Sequence, residues 1–153
     1  MKVKKTIIIF ESYHHKNTEV IGRIIAQSLQ AKLFKPDQLN VSILSGFNLI
    51  GFGTGIYNGK PHEKIQLFLE QLPSFEGKKA FLFITSGMLR ENYSKGIEVL
   101  IRKKGLQLIG SFSCKGFNNH GTFKIIGGKN RGHPDLQDFY HAEIFANGLK
   151  NRL

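Results

Sequence analysis

The sequence predicts an α/β domain: a three-layer open sheet of five parallel strands in the order 2-1-3-4-5, with helices on both faces. Three observations carry this reading. Short apolar runs rich in β-branched and aromatic residues recur along the chain, as in Thr6-Ile7-Ile8-Ile9-Phe10 and Lys79-Ala80-Phe81-Leu82-Phe83-Ile84-Thr85. Runs without polar alternation are the habit of strands buried on both faces, as in parallel sheets. Between them lie stripes at helical spacing, such as Val20, Ile21, Ile24, Ile25 and Leu29. Strand and helix alternate throughout, and right-handed crossovers then lay successive strands parallel with helices above and below. A length of 153 residues suits a single domain.

Taken in order, Thr6 to Phe10 is the first strand. A helix follows from Thr18, with Asn17 as its N-cap and Glu19 in the first turn. Ala31 to Lys35 is a short second strand closed by Pro36-Asp37, and Gln38 to Gly46 is irregular or a brief helical turn. Phe47 to Gly51 is the third strand, running into a Gly-rich loop that ends at Gly59. Pro61 to Leu72 is a helix, because proline suits a first helical position and Pro73 cannot continue it. Lys79 to Thr85 is the fourth strand, followed by a loop from Ser86 to Asn92 and a helix ending at Lys103-Lys104-Gly105. Leu106 to Phe112 is the fifth strand. A long Gly-rich loop from Cys114 to His133 leads to Pro134 and a last helix whose apolar face carries Leu136, Phe139, Tyr140 and Ile144.

Composition excludes several function classes. The longest apolar runs fall far short of the roughly 18 residues of a membrane span, and Met1 to Lys5 runs straight into a strand with no small-residue cleavage site. These features predict a cytoplasmic protein that does not engage a membrane. A single cysteine, Cys114, makes no internal disulfide and reads as a packed thiol. His14 and His15 are adjacent and the other histidines are scattered, so no pair has the helical spacing of a zinc site. The net charge of +11 invites a nucleic-acid reading. The basic residues are spread along the whole chain, however, and form no arginine-rich arm, which favours a solvated face over nucleic acid.

In doubly wound sheets, ligands bind beyond the carboxyl ends of the strands where the winding reverses. The loops after strands one, three and four converge there. The first, Glu11 to Thr18, is rich in hydroxyl and amide groups. Ser12, Asn17 and Thr18 suit a phosphate at a helix start, with Lys16 or His14 supplying charge, while plain capping explains Asn17 equally well. The dinucleotide and P-loop fingerprints are absent. In the second loop, repeated glycines let backbone approach a flat ligand and Tyr57 offers an aromatic plane.

Ser12 with Asn17-Thr18-Glu19, Gly51-Phe52-Gly53-Thr54-Gly55-Ile56-Tyr57 and Thr85-Ser86-Gly87 stand in element order where the chain resembles the flavodoxin-like FMN-binding family, of the short-chain type. The resemblance implies FMN as cofactor. Its phosphate would sit on Ser12, His14, Lys16, Asn17 and Thr18. The ring would lie against Thr54, Gly55, Ile56, Tyr57, Asn58 and Gly59, with its other edge near Thr85, Ser86, Gly87 and Met88. Tyr93 and Phe117 compete for the second stacking position. The Tyr57-Asn58-Gly59 peptide is a candidate to bond flavin N5, or else an ordinary tight turn. Two departures stand out: His15-Lys16 replaces the usual Thr-Gly, and electron-carrier flavodoxins are typically acidic.

The resemblance implies electron transfer to a redox partner protein, which would meet this basic surface with an acidic docking patch. The rivals are a small FMN-dependent oxidoreductase of quinone or protoporphyrinogen type, using the long Cys114 to His133 loop for a substrate, and a flavin-free basic binding module.

Overall fold

The computed structural model describes residues 4–12, 16–117 and 130–153. Its elements are β1 (Thr6–Glu11), α1 (Asn17–Leu29), β2 (Lys32–Phe34), β3 (Leu49–Tyr57), β4 (Lys60–Pro61), α2 (Glu63–Gln71), β5 (Lys79–Ser86), α3 (Asn92–Lys103), β6 (Gln107–Lys115) and α4 (Leu136–Lys150). Two short 3-10 turns, Pro36–Gln38 and Val41–Gly46, join β2 to β3. The sheet order is β2-β1-β3-β5-β6, every neighbour parallel, with β4 added antiparallel to the end of β3. The five parallel strands thus take the expected 2-1-3-4-5 order, and the fold is flavodoxin-like α/β.

The alternation of side chains across the sheet divides the core in two. Ile7 and Ile9 of β1, Ile50 and Phe52 of β3 and Leu82 and Ile84 of β5 face α2 and α3, meeting Ile65, Leu69, Ile97 and Ile101. Ile8 and Phe10, with Phe81 and Phe83, face α1 and α4, meeting Ile21, Ile25, Ala142, Ala146 and Leu149. Every residue of β1 is buried, which explains its unbroken apolar sequence.

Three boundaries differ from expectation for physical reasons. First, β3 runs through Tyr57, so the Gly-rich segment is mostly strand and not loop. Its glycines accommodate the protein's own rings: a methyl group at Gly51 would overlap Phe81 and one at Gly53 would overlap Phe83. Second, α2 begins at Glu63, because Pro61 pairs with Ile56 in β4 and His62 caps the helix, its Nδ1 accepting the Lys64 amide at 3.1 Å. Third, β6 extends to Lys115 and takes in Cys114.

Of the four residues expected to face the core in the last helix, Phe139 packs against it and the other three face solvent. Leu136 is 84% exposed, and Tyr140 and Ile144 are also exposed, whereas Ala142, Ala146 and Leu149 are buried. Small alanines let α4 lie close against its neighbours, and Phe145 reaches Phe81 and Phe112 with ring centroids at 6.0 and 5.5 Å. The helix starts after Pro134, at an Asp135 N-cap that forms a reciprocal capping box with Asp138.

Candidate functional site

Strand registry aligns the carboxyl ends that the sequence singled out. Glu11 of β1 pairs with Thr54 of β3, Gly55 with Thr85 of β5, and Ser86 with Lys115 of β6. The connections leaving these ends therefore converge on one edge.

At the end of β1, Ser12 is half-buried and its amide donates to Glu11 Oε1 at 3.2 Å. His14 lies outside the described residues. Lys16 adopts a left-handed backbone, φ 52°, and stands at the N-cap position of α1 without a side-chain cap. Asn17 is thus the first helical residue and not the cap. Its side chain instead donates to the Phe117 carbonyl at 2.9 Å, and a methyl group at Gly116 would overlap its amide. Thr18 and Thr85 share a buried hydroxyl–hydroxyl bond of 2.8 Å. The start of α1 is consequently fastened to the ends of β5 and β6 by its own side chains. Its first intrahelical amide bond is Val20 to the Lys16 carbonyl, so the amides of Asn17, Thr18 and Glu19 have no acceptor among the described residues. Uncapped amides at the positive end of a helix dipole favour an anion.

The end of β3 is a tight hairpin. Asn58 and Gly59 both have positive φ, 51° and 76°, as a two-residue turn of the type I′ kind requires, and Tyr57 pairs with Lys60. Tyr57 folds back so that its hydroxyl covers Gly55, and its ring meets His62 edge-on at 5.6 Å. Thr54 is fully buried: its hydroxyl donates to the Gly55 carbonyl at 2.7 Å and accepts the His62 amide at 2.8 Å. Thr54 therefore holds the hairpin, and Ile56 packs on the core beneath it. Tyr93 lies beside the turn, 3.9 Å from a methyl group built at Gly59.

After β5, the Ser86 hydroxyl donates to the Met88 carbonyl, and the Gly116 amide donates to the Ser86 carbonyl at 2.9 Å. Gly87 is fixed by Asn130, whose side chain donates to its carbonyl at 2.6 Å and to that of Gly116 at 3.3 Å. Phe117 is half-buried and its amide donates to the His133 carbonyl at 2.9 Å. The described residues among those read from sequence are thus gathered at one edge.

Several members were missed. Asn130 has a left-handed backbone, φ 58°, in a stretch with no periodicity to mark it. His133, Asp135 and Asp138 lie with ligand atoms within 4.8 Å of one another. Their polar atoms serve the start of α4: His133 Nδ1 is 2.7 Å from Asp138 Oδ2, and the Asp138 amide donates to Asp135. Asp135-Leu136-Gln137-Asp138 carried a readable capping signal.

Glu11 was also missed. It is buried, with Oε1 3.4 Å from Lys35 Nζ and Oε2 3.9 Å from Lys64 Nζ. Oε2 has no hydrogen-bond partner among the described residues. Burial holds the nearby His62 imidazole below the usual histidine range, while the Glu11 carboxylate pulls it upward. His62 is therefore neutral at pH 7, and because Nδ1 accepts the Lys64 amide, its proton resides on Nε2. Burial, aided by Asp138 and Asp135, pushes the Cys114 thiol up to about 12, which leaves it protonated and unreactive.

Such a sheet, with its connections converging at the carboxyl edge, defines a flavodoxin-like fold. Among solved structures the chain is similar to a flavodoxin from the domain Archaea, with TM-score 0.74, 14% identity and 97% of each chain covered. It is similar as well to oxidised Flavodoxin 2 from Bacillus cereus, with TM-score 0.75, 17% identity and 97% and 99% covered. A WrbA-like flavodoxin from Agrobacterium tumefaciens gives TM-score 0.70 at 16% identity, with 97% and 98% covered. At these identities the likeness shows the fold. No family model matches. The chain is 41% identical over 150 residues, 96% of its length and 99% of the other's, to the uncharacterized protein MJ0298 of Methanocaldococcus jannaschii, and belongs to the same family.

No helix of the described residues is long and apolar enough to cross a membrane.

Proposed function

We propose that this protein binds one FMN at the carboxyl edge of its sheet and serves in electron transfer with a redox partner protein. The observation that carries the reading is the start of α1. Three amides there have no acceptor among the described residues, and Thr18, bonded to Thr85, ties the helix start to the end of β5. A phosphate monoester meets the positive end of a helix dipole at such a place.

The donor set suits that group. Ser12, Lys16 and the amides of Asn17 and Thr18 form the phosphate side, with Lys16 adding charge, and His14, assigned to the same side from sequence, lies outside the described residues. The turn at Tyr57-Asn58-Gly59 and the Thr85-Ser86-Gly87-Met88 segment offer backbone groups to a planar ring, flanked by Tyr93 and Phe117. Positive φ at Asn58 and Gly59 supplies the backbone freedom that a carbonyl directed at flavin N5 needs. When bound, FMN supplies the redox chemistry, and the surrounding hydrogen bonds and charges set its potential. The chain's part is to hold phosphate and ring and to shield one face of the ring from water.

The test is titration of the purified protein with FMN, followed by visible absorption and flavin fluorescence. The expected result is one FMN per chain, with weakened binding in Thr18→Val. Bound FMN that is reduced in single-electron steps and is indifferent to NADH and NADPH supports the carrier. Rapid oxidation of either nucleotide replaces the carrier with the oxidoreductase, and absence of flavin binding refutes the site.

A further inference from the structure

The cations that are dispersed along the sequence are sorted by the fold. In a parallel sheet with helical crossovers, every strand start and every helix end falls at the same end of the molecule. There, Lys4 and Lys5 precede β1, Lys32 opens β2, and Lys78 and Lys79 lead into β5. Arg102, Lys103 and Lys104 close α3, and Lys150 and Arg152 close α4. These ten cations face two carboxylates at that end, Glu70 and Glu76.

The opposite, carboxyl end is close to balanced. Lys16 and Glu19 open α1, Lys35 and Asp37 follow β2, Lys60, Glu63 and Lys64 follow β3, and Arg90, Glu91 and Lys95 follow β5. Lys115, Arg131, Asp135, Asp138 and the buried Glu11 complete a set of eight cations and seven carboxylates. Between the two ends lie Arg23, Glu98 and Glu143. Among the described residues, the positive excess therefore sits at the end away from the candidate flavin site.

Part of it has a structural use. Lys78 Nζ donates to the Ser45 and Phe47 carbonyls at 2.8 and 2.7 Å, Lys104 to that of Glu70 at 2.8 Å, and Lys79 to that of Arg152 at 2.6 Å. Four helix ends present about half a negative charge each, roughly two in all, which does not offset an excess of eight. Lys5, Lys32, Lys103 and Lys150 are exposed and their side chains make no hydrogen bond or ion pair among the described residues.

We infer that this basic end is a docking surface for the phosphate backbone of double-helical nucleic acid, bound without sequence preference. Eight of its ten cations are lysines, point charges that neutralise phosphates and lack the arginine fork suited to reading base edges. Among the described residues, Ile43 alone of the exposed large apolar side chains belongs to a segment at this end. Phe47 and Phe75 at this end pack against the core, so the described residues there present no exposed aromatic platform for stacking single-stranded bases and little to insert into lipid. Five strands spaced about 4.8 Å apart span roughly 19 Å between outer strands, facing about eleven phosphate charges of a duplex. The sequence argued against nucleic acid because the charges were dispersed, and the fold removes that ground.

The test is fluorescence anisotropy of a labelled 20-base-pair DNA duplex at 50 and 150 mM KCl. With about five phosphates neutralised, affinity falls about 100-fold between the two salts. The triple variant Lys32→Glu/Lys103→Glu/Lys150→Glu is expected to bind at least about 30-fold more weakly at 50 mM, and its thermal melt shows whether it is folded. If it is not, the three single variants, each expected to weaken binding, replace it. The pair Lys60→Glu/Arg90→Glu at the other end, and added FMN, leave duplex binding unchanged. Equal weakening by that pair, no binding by the unaltered protein at 50 mM, or tighter binding to 7:3 phosphatidylcholine–phosphatidylserine vesicles than to duplex overturns the inference.

Discussion

Replacing Gly53 with alanine tests why β3 contains alternating glycines. The Phe83 ring is fully buried, stacks on Phe81 with centroids 6.3 Å apart, and covers Gly53, where a methyl group would overlap it. The ring also lies against α1, where a methyl group at Gly22 would come within 3.2 Å of the same Cζ. Overpacking of this kind costs about 3 kcal/mol, the upper part of the usual range. Reduced freedom of the unfolded chain returns about 0.5–1 kcal/mol. A net loss of about 2 kcal/mol lowers Tm by roughly 6 °C for a chain of this size. Thermal and urea unfolding of Gly53→Ala, Phe83→Leu and the double variant complete the cycle. In the Phe83→Leu background the alanine penalty should shrink below about 0.5 kcal/mol, because the smaller side chain vacates the space. A Tm within about 1 °C of the parent, or a penalty that persists without the ring, refutes the reasoning.

Two further outcomes follow from buried ionisable groups. Because burial depresses the folded pKa of His62, the unfolded chain takes up that proton first; the stability it contributes is complete above about pH 6.5 and is lost as pH falls through the folded pKa. His62→Gln should flatten the urea midpoint between pH 7 and 5, and an unchanged slope assigns the pH dependence elsewhere. Cys114, its thiol pushed up to about 12, should react with a disulfide reagent at pH 8 only as fast as the protein opens. Prompt reaction of the native protein contradicts its burial.

The strands were legible where burial on both faces removed any alternation. β1 and β5 were read to within a residue at each boundary, and the strand order followed from their alternation with helices. β3 was cut short because glycine reads as a loop residue, and nothing local reveals that Phe81 and Phe83, some thirty residues later, need the vacant space. The α4 stripe misled for a related reason: Leu136, Tyr140 and Ile144 have helical spacing, but the narrow alanine face opposite packs closer to its neighbours. At the candidate site, short-range turn chemistry was visible in Asn58-Gly59, which does form a tight turn with positive φ at both residues. Asn17 was misassigned because its partner is the carbonyl of Phe117, a pairing across 100 residues that capping preference cannot anticipate. Glu11 and His62 escaped notice since a lone acid and a lone histidine acquire meaning only once burial brings them near Lys35 and Lys64.

The bond from Asn17 to Phe117 also constrains when the site comes into being. A chain emerging from synthesis has β1 and α1 almost at once, yet the clasp at the start of α1 has to wait for β6 and the residues just beyond it. Thr18 is held back in the same way until β5 has taken its place and brought Thr85. Shape around the helix start is therefore conferred by the last strand to arrive, and a fragment ending before residue 117 would possess the phosphate-side residues without the clasp that arranges them.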